Sequence, residues 1–143
     1  MTLEQHKTLA RRAIELWSSG DVATVDEIYA PSYVNYQHHH PDSPHVIRGT
    51  EAWKNFVREF RQAFPDFHDT IEDQVAEGDK VVTRFTSQGT QAGEFMGVPP
   101  TGKHVRWTGI VVDRIADDKI VESWGSWDML GMLQQLGGIA LPA

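Results

Sequence analysis

An aspartate near the C-terminus has neighbours that favour proton-transfer chemistry. Asp128 follows Trp127 and precedes Met129 and Leu130. A carboxylate among apolar neighbours loses hydration, and this raises its pKa toward neutrality, where it can both take and give a proton. Aspartate is also a favoured N-cap, and Asp128 precedes an apolar segment that Gly137 can end as a helix. Asp128 is therefore a candidate acid/base, a helix cap, or both.

Three other residues are candidates for catalysis or binding, and each has a second interpretation. Arg84 is the one charged residue in segment 81–88. It can bind a substrate carbonyl or carboxylate, pair with Asp128, or face outward. Glu122 is a second candidate acid, unless it lies at a solvated strand end. Trp53 is either part of a helix core or a platform for a ligand.

A run of histidines invites a metal-binding interpretation that the spacing does not favour. His38, His39 and His40 are adjacent, and His45 is nearby. Adjacent residues of an extended chain point to opposite sides, and neither an H-x-x-x-H helical spacing nor a cysteine supports an ion. We expect no metal site and no cofactor. His38 is instead a candidate for the mouth of a binding pocket.

Composition and charge argue against several classes of function. The chain has 143 residues, 40% of them hydrophobic, with five tryptophans, no cysteine and a net charge of −7. This charge, without any cluster of Lys and Arg, argues against nucleic acid or an anionic membrane as the partner. The N-terminus is polar and amphipathic, which is typical of neither a signal peptide nor a transmembrane helix. We expect a soluble, cytoplasmic protein with one domain over residues 1–143.

The elements that position these candidates are helices first and strands afterwards. Thr2 and Gln5 have capping-box spacing, and apolar residues recur at helical intervals until Gly20. Further helices are predicted over 21–28, 50–64 and 128–136, and a short strand over 32–37. After Pro65 the period changes to that of three or four strands separated by turn signals. This order indicates an α+β fold.

A register calculation connects the strand pattern to the candidate site. We take Asp117 and Asp118 as a two-residue turn between strands 104–116 and 119–127. Asp113 then opposes Glu122, and Trp107 opposes Asp128. The same sheet face holds Trp107, Gly109, Val111, Asp113, Glu122, Trp124, Ser126 and Asp128. We expect this face to be an aromatic pocket floor on which Gly109 leaves room, with the Asp113–Glu122 end exposed to water.

Several segments resemble the SnoaL-like polyketide cyclases, or ester cyclases, of the NTF2-like superfamily. The segments GEFMGVPPTGK, RIADDKIVESW and WDMLGMLQQLG follow FPDFHDTIEDQVAEGDKVV in this order. The resemblance extends over about residues 9–138. It implies an NTF2-like cone, in which a curved, mainly antiparallel sheet wraps around N-terminal helices and encloses a pocket.

The resemblance also implies a chemistry. In these cyclases an Asp acts as acid/base in an intramolecular aldol closure of a polyketide ester, without metal or organic cofactor, and the matching position is Asp128. Where the family often has V-N-H and G-T-H, this chain keeps Asn35 and replaces the two imidazoles by Tyr36 and Gln91. His38 can then supply an imidazole in place of the one lost at Tyr36. The resemblance, the register and the residue types together give the candidate binding residues, which are Asn35, Tyr36, His38, Trp53, Arg84, Trp107 and Trp124.

The function expected from these patterns is a cofactor-independent enzyme that abstracts a proton α to a carbonyl in an apolar, aromatic or polyketide-like substrate. Aldol cyclisation is the first choice. An isomerase, hydratase or epoxide hydrolase is the second, and a non-catalytic NTF2-like module that binds a small apolar ligand is the rival of another class. The opposite sheet face, with Arg106, Thr108, Ile110, Val112 and Trp127, predicts a homodimer.

Overall fold

The computed structural model describes residues 1–37 and 45–139. The helices are α1 (Leu3–Ser19), a 3₁₀ turn (Val22–Thr24), α2 (Val25–Ile28), α3 (Thr50–Ala63) and α4 (Met129–Leu136). The strands are β1 (Tyr29–Gln37), β2 (His45–Arg48), β3 (His68–Glu77), β4 (Lys80–Thr90), β5 (His104–Ala116) and β6 (Lys119–Trp127). The predicted α+β order is therefore confirmed. The short strand β2 is not among the predicted elements, because the two prolines that precede its segment are typical of an irregular loop.

In the described part of the chain, one mixed sheet contains all six strands in the order β2-β1-β6-β5-β4-β3. Only the β1–β6 pair is parallel, and the other neighbours are antiparallel. Helices α1 and α3 lie on the concave face, where apolar side chains of both helices join those of the strands. This arrangement leaves a cavity between the helices and the sheet.

The first helix shows how local sequence sets an element. The Thr2 hydroxyl accepts a hydrogen bond from the Gln5 backbone, and the Gln5 side chain accepts one from the Thr2 backbone, so the predicted capping box is present. Gly20 then ends α1 in the left-handed conformation at φ 70°. The helix therefore begins and ends where the sequence predicts.

A β-bulge in β6 overturns the predicted register. The turn is as expected, with Asp117 and Asp118 both at positive φ, as a type I′ hairpin requires. Ile115 pairs with Ile120, but Arg114 pairs with Glu122, so Val121 is an extra residue without a partner of its own. Because side chains alternate along a strand, one extra residue turns every later side chain of β6 to the other face.

The consequence is that the inner face of β6 differs from the one predicted. Ser123, Gly125 and Trp127 point toward the helices, whereas Glu122 and Trp124 lie on the outer face. On β5 the expected side chains remain inside, and Asp113 opposes Ser123. The predicted like-charge pair of Asp113 with Glu122 is therefore wrong. Glu122 instead accepts a hydrogen bond from Arg114 at 2.7 Å on the outside.

The outer sheet face carries exposed apolar side chains, from which we still expect a homodimer. Ile110 is 47% exposed and Val82 is 37% exposed. Trp124 takes the place that we had predicted for Trp127. Ile110→Lys should therefore convert a dimer to a monomer in sedimentation velocity, because an ammonium group would be buried unpaired in the interface.

The matched control for this prediction is Leu130→Lys. Leu130 is 48% exposed but lies on α4, which packs through its buried residues against Trp107 of the inner sheet face. The Leu130→Lys substitution should leave the sedimentation coefficient unchanged. A wild-type protein that sediments as a monomer at micromolar concentration would contradict the prediction.

Candidate active site

The concave face encloses a cavity of about 530 Å³, a volume that suits a small organic ligand. Its floor is the inner face of β1, β6, β5 and β4, and its roof comes from α1 and α3. The walls are mainly aromatic, and these side chains are Trp17, Tyr29, Tyr33, Trp53, Phe56, Phe60, Phe67, Phe85, Phe95, Trp107 and Trp127. An apolar cavity of this kind favours a flat, aromatic ligand.

Asp113 is a buried carboxyl group in the cavity wall. It is 2% exposed, and its Oδ1 accepts a hydrogen bond from the Ser123 hydroxyl at 2.5 Å. Its Oδ2 has no hydrogen-bond partner among the described residues. Burial raises the pKa of Asp113 to about 7, although the hydrogen bond from Ser123 acts in the opposite direction. A carboxyl group with this pKa can act as either base or acid at neutral pH.

A chain of polar side chains leads along β1 toward Asp113. The Trp127 indole donates to Gln37 Oε1 at 3.3 Å, and Gln37 Nε2 donates to Asn35 Oδ1 at 2.5 Å. Asn35 Nδ2 donates in turn to the Tyr33 hydroxyl at 2.8 Å. Alternation along β1 places Tyr33, Asn35 and Gln37 on the inner face beside β6, so these groups line one side of the cavity.

Tyr33, the last of these hydrogen-bonded side chains, stays protonated. Burial raises the pKa of its phenol, and the nearby Asp113 carboxylate raises that pKa further. The Tyr33 hydroxyl is also hydrogen-bonded to Ser123, which bonds Asp113. The hydrogen-bonded side chains therefore present neutral donors next to the Asp113 carboxyl group.

Gly109 has a different role from the one predicted. A Cβ at this position would lie 2.4 Å from the Phe85 ring. The missing side chain therefore lets the Phe85 ring pack across β5, and the room that we expected for a ligand is occupied by this ring. Gly109 shapes the floor of the cavity through Phe85.

Asp128 is a surface helix cap, and its predicted position is wrong. The residue is exposed and precedes α4, and its Oδ1 accepts a hydrogen bond from the Gly131 backbone at 2.9 Å. It is absent from the cavity wall, and it does not oppose Trp107 as predicted. The bulge at Val121 explains this, because it turns residues 122–128 to the opposite faces. Of our two interpretations, the cap is the one that the geometry supports.

Three other predicted binding residues also lie outside the cavity. Arg84 is on the outer face, where its Nη2 lies 3.1 Å from Asp73 Oδ2 in an exposed ion pair. Trp124 and Tyr36 are the other two. They lie on the same outer face and stack on each other, with ring centroids 5.9 Å apart. Their predicted positions in the pocket are wrong, because strand alternation and the bulge direct these side chains outward.

The remaining candidates have mixed outcomes. Asn35, Trp53 and Trp107 lie in the cavity wall, and their contact with a substrate stays a prediction. His38 lies outside the described residues. His45 lies at the cavity wall and is exposed to solvent.

Gln91, which replaces an imidazole of the family pattern, holds the loop after β4. Its Nε2 donates to the Val98 carbonyl at 2.9 Å, and its Oε1 accepts from the Thr101 backbone and hydroxyl at 3.1 and 2.7 Å. Phe95 of this loop packs against Phe60 in the cavity roof. Gln91 is therefore a structural residue that fixes the loop beside the cavity.

A second carboxyl group of the cavity was also missed by sequence reasoning. Asp69 on β3 is half-buried and accepts a hydrogen bond from the Ser87 hydroxyl. Burial raises the pKa of Asp69 to about 7, while the hydrogen bond from Ser87 lowers it.

Asp113 could have been identified from the sequence, because the predicted register placed it on the same sheet face as Trp107. Asp113 was not among the candidates, because the like-charge pair expected with Glu122 indicated an end of the sheet exposed to water.

Two classes of site are not formed by the part of the chain that the structure describes. Over residues 1–37 and 45–139, no group of three His, Asp or Glu side chains could hold a metal ion. No helix in these ranges is long and apolar enough to span a membrane.

Comparison with known proteins identifies the class. Residues 7–136 match the family of SnoaL-like polyketide cyclases, and the chain belongs to this family. It is 30% identical over 132 residues to the aklanonic acid methyl ester cyclase DnrD of Streptomyces peucetius, covering 90% of this chain and 88% of that protein.

Solved structures agree with this assignment. IdmH of Streptomyces antibioticus, a proposed polyketide cyclase, is 36% identical with a TM-score of 0.79, over 93% of this chain and 99% of IdmH. TsrD of Streptomyces laurentii is 27% identical with a TM-score of 0.84, over 97% of this chain and 99% of TsrD. The predicted NTF2-like fold and the resemblance to the cyclases are thus confirmed.

Proposed function

We propose that the protein closes a ring in a polyketide-type ester by intramolecular aldol addition, without a cofactor, and that Asp113 is the acid/base. Asp113 thereby replaces Asp128 in the mechanism expected from the sequence. The observation that carries the proposal is the Asp113 carboxyl group itself, which lies in the cavity wall with a pKa of about 7 and one oxygen without a partner among the described residues.

The reaction uses one proton, which Asp113 takes and then returns. Its carboxylate abstracts a proton from a substrate carbon that is acidified by adjacent carbonyl groups. The resulting enolate carbon attacks a ketone carbon of the same molecule, forming the new carbon–carbon bond. The alkoxide then takes the proton from the Asp113 carboxyl group. Substrate and product therefore have the same composition.

The amides of Asn35 and Gln37 are suited to stabilise the enolate oxygen. Each amide nitrogen carries two hydrogens and uses one of them in the polar chain along β1. Their fixed positions matter, because donors that are already oriented need no reorganisation when negative charge develops. Tyr33 holds Asn35 in place and remains neutral, so it adds no competing negative charge.

The substrate class follows from the cavity and from the relatives. Its aromatic wall suits a planar polyketide, and the named relative DnrD is an aklanonic acid methyl ester cyclase. An epoxide hydrolase would need a water held by two acids or by an Asp–Arg pair, and the sequence candidates for such a pair were Asp128 with Arg84 or Glu122. These side chains are outside the cavity, which favours the cyclisation.

The test is conversion of an aromatic polyketide methyl ester that carries a β-dicarbonyl side chain. Mass spectrometry should find a product of unchanged mass, and NMR should show the new ring carbon bearing a hydroxyl group. EDTA should leave the rate unchanged. Binding without conversion would instead support a ligand-binding module, and a gain of one water would support a hydratase or hydrolase.

A further inference from the structure

Asp69 is a second carboxyl group in the cavity wall, and the proposed reaction does not use it. Its Oδ1 accepts the hydrogen bond from Ser87, and its Oδ2 accepts none from residues 1–37 or 45–139. Both Asp69 and Ser87 line the cavity, and the Asp69 side chain is only half-buried. One carboxylate oxygen is therefore available to a ligand.

Asp69 and Asp113 are too far apart to act on the same carbon. Asp69 pairs with Ser87, and Ser87 pairs with Trp107, so Asp69 is level with Trp107 across the sheet. Asp113 lies six residues further along β5, which is roughly 20 Å of extended strand before curvature shortens the path. The two carboxyl groups thus face opposite ends of a long cavity.

The surroundings of Asp69 favour a neutral hydroxyl donor on an aromatic ring. Phe67 and Trp107 pack together beside it, with ring centroids 5.8 Å apart. Among the described residues Asp69 forms no ion pair, and the raised pKa of its carboxyl group reflects this apolar environment. A phenol can stack on these rings and donate to the available oxygen, whereas Ser87 fixes the orientation of the other oxygen.

We propose that Asp69, held by Ser87, forms a subsite for a phenolic hydroxyl at the end of the ligand remote from the reacting carbons. This inference rests on the proposed function only in taking the cavity as the substrate site. It adds a specificity determinant, because ligands without a hydroxyl at that end would leave Asp69 Oδ2 buried and unpaired.

The test compares 2-hydroxyanthraquinone with anthraquinone, measured by quenching of tryptophan fluorescence. Four tryptophans line the cavity, so either probe should report its own binding. Wild type should prefer the hydroxylated probe by about tenfold, because anthraquinone would leave the Asp69 oxygen buried without a hydrogen bond. Asp69→Leu should lose this preference while binding anthraquinone as wild type does, and Asp69→Asn should retain part of it.

Two control variants locate the effect. Asp73→Asn changes an exposed carboxylate on the same strand and should keep the full preference. Asp113→Asn should also keep it, which would assign the hydroxyl to the Asp69 end. A preference lost in Asp113→Asn but kept in Asp69→Leu would overturn the subsite.

Other results would also overturn the subsite. These are equal binding of both probes by wild type, binding of neither probe, or an equal loss of both affinities in Asp69→Leu and Asp69→Asn. A preference that persists while the polyketide ester is not converted would refute the proposed reaction and leave the subsite standing. The two proposals can therefore fail separately.

Discussion

Asp113→Asn is expected to lower the rate of ring closure by about two to four orders of magnitude, the usual contribution of general acid–base catalysis. Asparagine keeps the shape of the side chain and can still accept the hydrogen bond from Ser123, but it cannot carry the proton. Affinity for the substrate should change little, so the loss should appear in kcat, measured by product formation under saturating substrate.

The control for this prediction is Asp128→Asn. Because Asp128 caps α4 at the surface, and asparagine also caps well, this variant should keep the wild-type rate and nearly the wild-type stability. The wild-type kcat/KM should also rise through about pH 7 as Asp113 loses its proton. An active Asp113→Asn variant, or an inactive Asp128→Asn variant, would refute the assignment of the base.

Asp113 should also make the fold less stable as pH rises from about 4 to about 7. The pKa of this carboxyl group is raised from 3.8 to about 7 by burial, so in this window the folded protein holds a proton that the unfolded chain has lost. Stability therefore falls with rising pH and levels off above pH 7. The difference between the two pKa values corresponds to roughly 4 kcal/mol, an upper figure for one fully buried group.

The Asp113→Asn variant lacks this contribution. Comparing it with wild type therefore separates the effect of Asp113 from the effects of other carboxyl groups. Relative to wild type, the free energy of unfolding of the variant should increase between pH 4 and pH 8, by up to about 4 kcal/mol. Urea unfolding at a series of pH values measures it. Asp73→Asn, which alters an exposed carboxylate, should show no such trend. A difference that does not change with pH would contradict the buried, protonated state.

The parts of the fold that were predictable are those determined by neighbouring residues. Thr2 with Gln5 and the turn at Asp117 and Asp118 use short-range hydrogen bonds and backbone conformations that the residue types reveal. The bulge at Val121 was not predictable, because valine is an ordinary strand residue and its lack of a partner depends on how β6 pairs with both β5 and β1.

The residues of the candidate site were predicted wrongly for the same reason. Identifying the face of β5 was enough to place Trp107 in the cavity, since that strand is regular up to Arg114. The opposing strand decided which carboxyl group would be buried, and one extra residue exchanged Glu122 for Ser123 beside Asp113. A hydroxyl donor there allows Asp113 to be buried, whereas a second carboxylate would have kept that end of the cavity exposed to water.

The bulge has a consequence for how such a cavity can diversify. A variant of β6 in which Val121 pairs with Arg114 would have no bulge, and Glu122 and Trp124 would then face the cavity in place of Ser123 and Gly125. Two very different binding surfaces are thus separated by the pairing of one residue, without any change in the length of the strand. Deletion of Val121 would not exchange them, because Ser123 would still oppose Asp113 in a regular strand.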